Sequence, residues 1–228
     1  MTTMQIGNFS AYFAEPASPP RAAIIVIHEI FGVNAGIRQK CDNWARLGYL
    51  AVAPDLFWRI KPGIELDPDI EPEFQEALAL FSQYGANKGT DKSILDVEET
   101  IHAIRARGVS KIGAVGYCLG GLLAYLTACR TDVSASVGYY GVMIDQMLGE
   151  SHAIAHPLML HIPTADHFVG PEAQAAIHKG LDNHPKITLH DYAGLDHGFA
   201  AEMGTRRHEG GARLADARTT DFFANALR

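Results

Sequence analysis

Six short apolar runs, spaced by stretches of helical period, most limit what this chain can fold into. Ala23–His28 reads AIIVIH, and similar runs occupy Leu50–Ala53, Ile112–Gly116, Ala135–Tyr140, Leu158–Ile162 and Ile187–Tyr192. They are continuous rather than alternating. Strands of that kind bury both faces, as in a parallel sheet. Between them lie segments with apolar residues three and four apart: Ile37–Leu47, Pro72–Tyr84, Ser93–Arg107, Leu119–Cys129, Pro171–Leu181 and Arg213–Leu227. Strand–helix alternation predicts an α/β fold, a mostly parallel doubly wound sheet with helices on both faces. The residues through Ala14 are expected to add an antiparallel hairpin at one edge. At 228 residues, a single domain spanning 1–228 has enough chain to bury a core. The Pro- and acid-rich stretch Trp58–Glu73 reads as a long surface loop entering a helix, and as a lid candidate.

Charge and cysteine content narrow the function classes. A net charge of −7, with no Lys/Arg-rich run, argues against a nucleic-acid partner. No apolar stretch is long enough for a membrane span. Three cysteines, Cys41, Cys118 and Cys129, cannot all pair. With no secretory signal pattern at the start, free thiols and a cytoplasmic location are expected. There is no HExxH, and His152 and His156 lack companions for a metal site, so neither metal nor cofactor is expected. The expected partner is a small molecule, and the expected state a monomer or weak homo-oligomer.

The chemistry concentrates at Gly116-Tyr117-Cys118-Leu119-Gly120. This is the G-x-S-x-G nucleophile elbow with cysteine in place of serine, preceded by a strand and followed by a helix, as that motif requires. The elbow displays Cys118 at a helix N-terminus, which favours a thiolate. It also makes the Leu119 N–H an oxyanion donor. In this fold the acid and then the histidine follow the nucleophile in chain order. Asp166 lies just past the fifth run and His197 just past the sixth. His197 is the expected general base and Asp166 the acid that orients it. Two rivals sit beside them. Asp196 is adjacent to His197, but neighbours in a turn seldom aim at each other; His167 is a second base, and it leaves the final strand end without a role.

On these residues the sequence resembles the dienelactone hydrolase (carboxymethylenebutenolidase) family of α/β-hydrolases. The resemblance covers nearly the whole chain. Its blocks are His28–Asn34 (HEIFGVN), Tyr49–Leu56, Val115–Gly121, Val137–Val142, Asp166–Val169 and His197–Phe199. It implies a Cys118–His197–Asp166 triad cleaving a lactone or small ester through a thioester, with a place in aromatic compound degradation. It also implies that Glu29 lies beside the cysteine and helps to activate it. Glu29 follows the first buried run, in the loop that supplies the second oxyanion donor of such folds, here the Ile30 N–H. A carboxylate and a thiolate in one dry pocket cannot both stay charged, so the expected resting thiol is neutral. The sequence departs from the family at two arginines that hold a substrate carboxylate; the matching positions fall near Phe74 and Ala201. Arg59, Lys61, Arg206 and Arg207 are the available substitutes. Phe74, Leu78, Phe81, Tyr139 and Phe168 are the expected lining of an apolar substrate pocket. The alternative functions are a general carboxylesterase or acyl-transfer enzyme with the same triad, and a ligand-binding or thiol redox-sensing domain.

Overall fold

A computed structural model describes residues 2–228, and the chain forms two compact units. The first runs to Ile112 and also takes in Glu202–Thr205; the second comprises Gly113–Ala201 and Arg206–Arg228.

In the first unit the strands β1 (Thr2–Ile6), β2 (Phe9–Ala14), β3 (Ala23–Ile27) and β4 (Leu50–Pro54) lie in the order β1-β2-β4-β3. The expected edge hairpin is present: β1 is antiparallel to β2, and β2 to β4, while β3 and β4 run parallel. Every residue of β3 and β4 is buried. Helices α1 (Ala35–Arg46) and α3 (Gly89–Ala106) both pack on β4, which accounts for a strand without a solvent face. Helix α2 (Glu71–Ala86) packs on α3. Asn34 caps α1: its Oδ1 accepts from the Ile37 N–H at 3.1 Å, while its Nδ2 donates to the Leu66 carbonyl at 3.0 Å.

That second bond belongs to a fastening of the 58–73 loop. The Leu66 N–H donates to the Phe31 carbonyl at 3.0 Å, and Arg38 pairs with Glu65 at 2.6 Å. Gly32 makes the turn at φ +74, where a methyl group would stand 2.1 Å from the Ile64 carbonyl oxygen. Ile64 and Leu66 are buried. The expected lid is therefore a strapped loop, held by a backbone bond, a side-chain bond and an ion pair that a swinging flap would have to break.

In the second unit β5 (Ile112–Tyr117), β6 (Ala135–Tyr139), β7 (Leu158–Pro163) and β8 (Ile187–Tyr192) follow one another, all parallel. Helices α4 (Leu119–Arg130), α5 (Pro171–Leu181) and α6 (Glu209–Ala226) pack on them. A 3-10 helix, Ile144–Ala153, had no signature in the sequence pattern. Helices α3 and α6 each begin about four residues earlier than apolar spacing predicts, because their first turns are polar.

The Glu202–Thr205 segment joins the first unit through a buried ion pair. Lys40 Nζ lies 2.9 Å from Glu202 Oε1, with both side chains at least nine-tenths buried. Removing one partner from such a pair takes a close counter-ion away from a buried charge. Glu202→Ala is expected to destabilise the protein by about 3–5 kcal/mol in urea unfolding, while an exposed control such as Glu172→Ala changes it little.

Candidate active site

The second unit holds the elbow. β5 ends at Tyr117, α4 begins at Leu119, and Cys118 between them has φ 56 and ψ −115. A side chain in this region is strained and persists only where its surroundings over-determine it. Here they do. The Cys118 N–H donates to the Tyr139 carbonyl at 3.1 Å, and the Cys118 carbonyl accepts from Gly121 at 2.9 Å. A methyl at Gly116 would stand 1.8 Å from the Gly120 carbonyl oxygen. One at Gly121 would meet the Tyr139 oxygen and Gly141 Cα at 2.7 Å. The flanking glycines are thus the condition for the turn. Cys118 is half-buried, and Leu119 stands first in α4, where N–H groups have no partner within the helix.

Asp166 and His197 meet from the loops after β7 and β8. The His197 Nδ1–H donates to Asp166 at 2.9 Å, and both side chains are almost wholly buried. The Phe168 and Val169 N–H groups donate to Asp166 Oδ1 at 2.8 and 3.1 Å, which fixes the direction of the side chain. The bond to Asp166 sets the tautomer, leaving Nε2 as the working nitrogen. Nε2 is buried, and no described residue reaches it with hydrogen-bond geometry. Burial alone would lower the His197 pKa. Negative charge at Cys118, the Asp166 hydrogen bond, the proximity of the Cys118 sulfur and the Asp166 charge outweigh it, and the pKa is pushed up to about 10.

The remaining expected residues fall in different places. Tyr139 is a correction: it is fully buried, and its hydroxyl bonds to Thr219 Oγ1 at 2.6 Å and Asp216 at 3.1 Å, so it belongs to the core and not to a pocket lining. The aromatic ring at that strand end is Tyr140, at φ 38, edge-on to His197 with ring centroids 4.9 Å apart. Sequence reasoning missed it, although the doubled tyrosine before Gly141 marks the end of the strand. Phe168 is half-exposed and also edge-on to the His197 ring, at 4.8 Å. Phe74, Leu78 and Phe81 form a half-buried stripe on α2 in the first unit, with Phe74 5.9 Å from Phe31. Glu29 and Ile30 lie there too, in the loop after β3. His28 shapes that loop, accepting from the Leu56 N–H at 3.1 Å and donating from Nδ1 to the Glu29 carbonyl at 2.5 Å. Of the basic substitutes, Arg59 is paired with Asp96, Lys61 with Glu76, and Arg207 with Glu209. Arg206 lies against Gly198, beside His197. His167 and Asp196, the rivals, are bonded to each other at 2.7 Å. Among the described residues no helix is long and apolar enough to cross a membrane.

The fold is that of the α/β-hydrolases. A candidate dienelactone hydrolase from Klebsiella pneumoniae superposes with a TM-score of 0.83 at 24% identity, covering 98% of this chain and 97% of the other. Thermogutta terrifontis esterase 2 gives 0.69 at 19%, covering 97% and 92%. Residues 9–227 match the dienelactone hydrolase family. The carboxymethylenebutenolidase of Pseudomonas putida is 36% identical over 95% of this chain and 91% of its own. Carboxymethylenebutenolidase 1 of Cupriavidus pinatubonensis is 33% identical over 98% and 94%. The chain belongs to the dienelactone hydrolase family and is a hydrolase of that kind.

The raised His197 pKa has a thermodynamic signature. A group whose pKa rises on folding stabilises the native state fully below its unfolded value, near 6.5, and loses that contribution as pH climbs through the folded value. The stability gap between the wild type and His197→Gln is expected to be greatest below about pH 6.5 and to close as pH approaches about 10, read by urea unfolding across that range.

Proposed function

We propose that the protein cleaves a lactone or small carboxylic ester through a thioester on Cys118. The observation that carries this reading is the strained, half-exposed Cys118 in the same compact unit as the buried Asp166–His197 pair. His197 Nε2 takes the thiol proton, and the sulfur forms a bond to the acyl carbon. The carbonyl electron pair moves to oxygen, which the Leu119 N–H stabilises. The intermediate collapses as the C–O bond to the leaving alkoxide breaks, and the imidazolium returns its proton to that oxygen. Water, deprotonated by His197, then attacks the thioester and releases the acid and the thiol. Asp166 keeps the imidazole oriented and stabilises its charge.

The family resemblance assigns two further parts, activation of the thiol to Glu29 and a second oxyanion donor to the Ile30 N–H. It also supports one catalytic domain over the whole chain. Phe168 is proposed to contact substrate, since it is half-exposed and borders the His197 ring. Carboxymethylenebutenolidase relatives bring the anionic dienelactone into consideration as substrate. Without basic residues at Phe74 and Ala201, this chain is proposed to prefer a less acidic lactone or ester.

Hydrolysis of an activated ester should fall to background in Cys118→Ala and after alkylation of the wild type, with an acylated Cys118 peptide trapped by rapid acid quench. Asp166→Asn should lower kcat by about 10^3–10^4-fold. Activity that survives loss of the thiol would refute the thioester route, and activity absent from the wild type would favour a binding or redox-sensing domain. Neutral lactones are expected to give the higher kcat/KM; a strong preference for the anion would overturn that part of the assignment.

A further inference from the structure

The dipeptide Asp-His occurs on both triad loops, at Asp166-His167 and at Asp196-His197. The acid of each serves the histidine of the other. Asp166 takes His197 in the buried interior, and Asp196 takes His167 at the surface, with His167 Nδ1 at 2.7 and 2.9 Å from its two carboxylate oxygens. Asp196 Oδ1 also accepts the His167 backbone N–H at 3.1 Å and the His197 backbone N–H at 2.6 Å. One exposed carboxylate therefore grips the backbone at both loops of the buried pair: at the residue after the catalytic acid, and at the base itself. Its lowered pKa, for which the His167 and backbone hydrogen bonds outweigh desolvation, is consistent with a carboxylate that stays charged. Upstream the same loops are joined by Thr164 N–H to the Tyr192 carbonyl at 3.1 Å, Gly194 N–H to Thr164 Oγ1 at 3.0 Å, and Ala165 N–H to the Leu195 carbonyl at 2.9 Å.

These upstream bonds end before the reacting groups, and Asp196 closes the far side. Beyond it the His197 loop turns at Gly198, φ +78. We infer that Asp196 is a positioning residue for His197: with His167 it clamps the two loops, so that Asp166 and His197 stay in register while Nε2 works at Cys118. The inference rests on the triad reading. The clamp acts by holding a backbone. Its exposure is no objection, because three hydrogen-bond donors converge on one charged group, and charge-assisted bonds are stronger than neutral ones. A displacement of about 1 Å at the base costs a rate factor of order 10^2.

The test compares Asp196→Ala, Asp196→Asn and His167→Ala with the wild type and with Cys118→Ala, on one activated ester. Asp196→Ala is expected to lower kcat by about tenfold to a hundredfold with KM changed less than about twofold. It should also shift the pH dependence of Cys118 alkylation by iodoacetamide, which reports the reach of His197. Asp196→Asn keeps an acceptor oxygen for the backbone donors and should recover most of the rate. His167→Ala, which leaves both backbone donors in place, should fall between the two, and it provides the reading if Asp196→Ala does not fold. A wild-type kcat and alkylation profile in the folded Asp196→Ala, or in His167→Ala alone if only that variant folds, would overturn the clamp. So would a rate loss without any change in the alkylation profile. Residual full activity in Cys118→Ala would instead sink the triad reading, which keeps the two failures distinct.

Discussion

The approach of Gly116 to the Gly120 carbonyl is the contact on which the second unit is arranged. It lets β5 turn into α4 within one residue, and that one residue is Cys118, held at a positive φ that a cysteine would not otherwise choose. Gly121 extends the closeness toward Tyr139 and Gly141, so the start of α4 rests directly on backbone. Backbone offers no rotamer to relax into. The strain at Cys118 is stored in the least compliant material available, and the sulfur stays at the tip of the turn.

Beneath this layer a chain of polar side chains joins β6, β7 and β8 to α6. Tyr139 bonds to Asp216 and Thr219, Thr219 to His161 Nε2, and His161 Nδ1 to Tyr192, whose hydroxyl also accepts from Arg218. His161 is neutral, since burial, aided by the charges of His190 and Arg218, holds its pKa well below the ordinary value. A satisfied buried network specifies one arrangement of its elements more sharply than apolar contact alone. It supports the strand ends from which the Asp166 and His197 loops depart.

What the sequence disclosed follows from which interactions are local. The strands were legible because β3 and β4 carry no solvent-facing residue, which leaves an unbroken apolar run. The elbow was legible because its constraint is between near neighbours, Gly116 and Gly120. Asp166 and His197 were singled out by chain order, and the fold brings them to 2.9 Å. Tyr139 was misplaced because strand parity settles which of two adjacent tyrosines turns inward, and the positive φ of Tyr140 departs from that parity. The Asp196–His167 pair was invisible for a related reason. Reading along the chain sets Asp196 beside His197, while the bonds it makes to the Asp166 loop exist only once β7 and β8 lie side by side. The 3-10 segment after β6 left no periodic trace at all.

The four residues Glu202–Thr205 carry a consequence for how this protein can be taken apart. They belong to the first compact unit although some ninety residues of the second precede them in the chain, and they bring the carboxylate that faces Lys40. Thr205 also donates to Asp69, on the far side of the long loop. A fragment ending at Ile112 would hold every strand and helix of its unit and still lack its electrostatic keystone. A cut at the obvious boundary separates Lys40 from that carboxylate. Split reporters, circular permutants and domain grafts built on this scaffold must carry the short returning segment with the N-terminal piece.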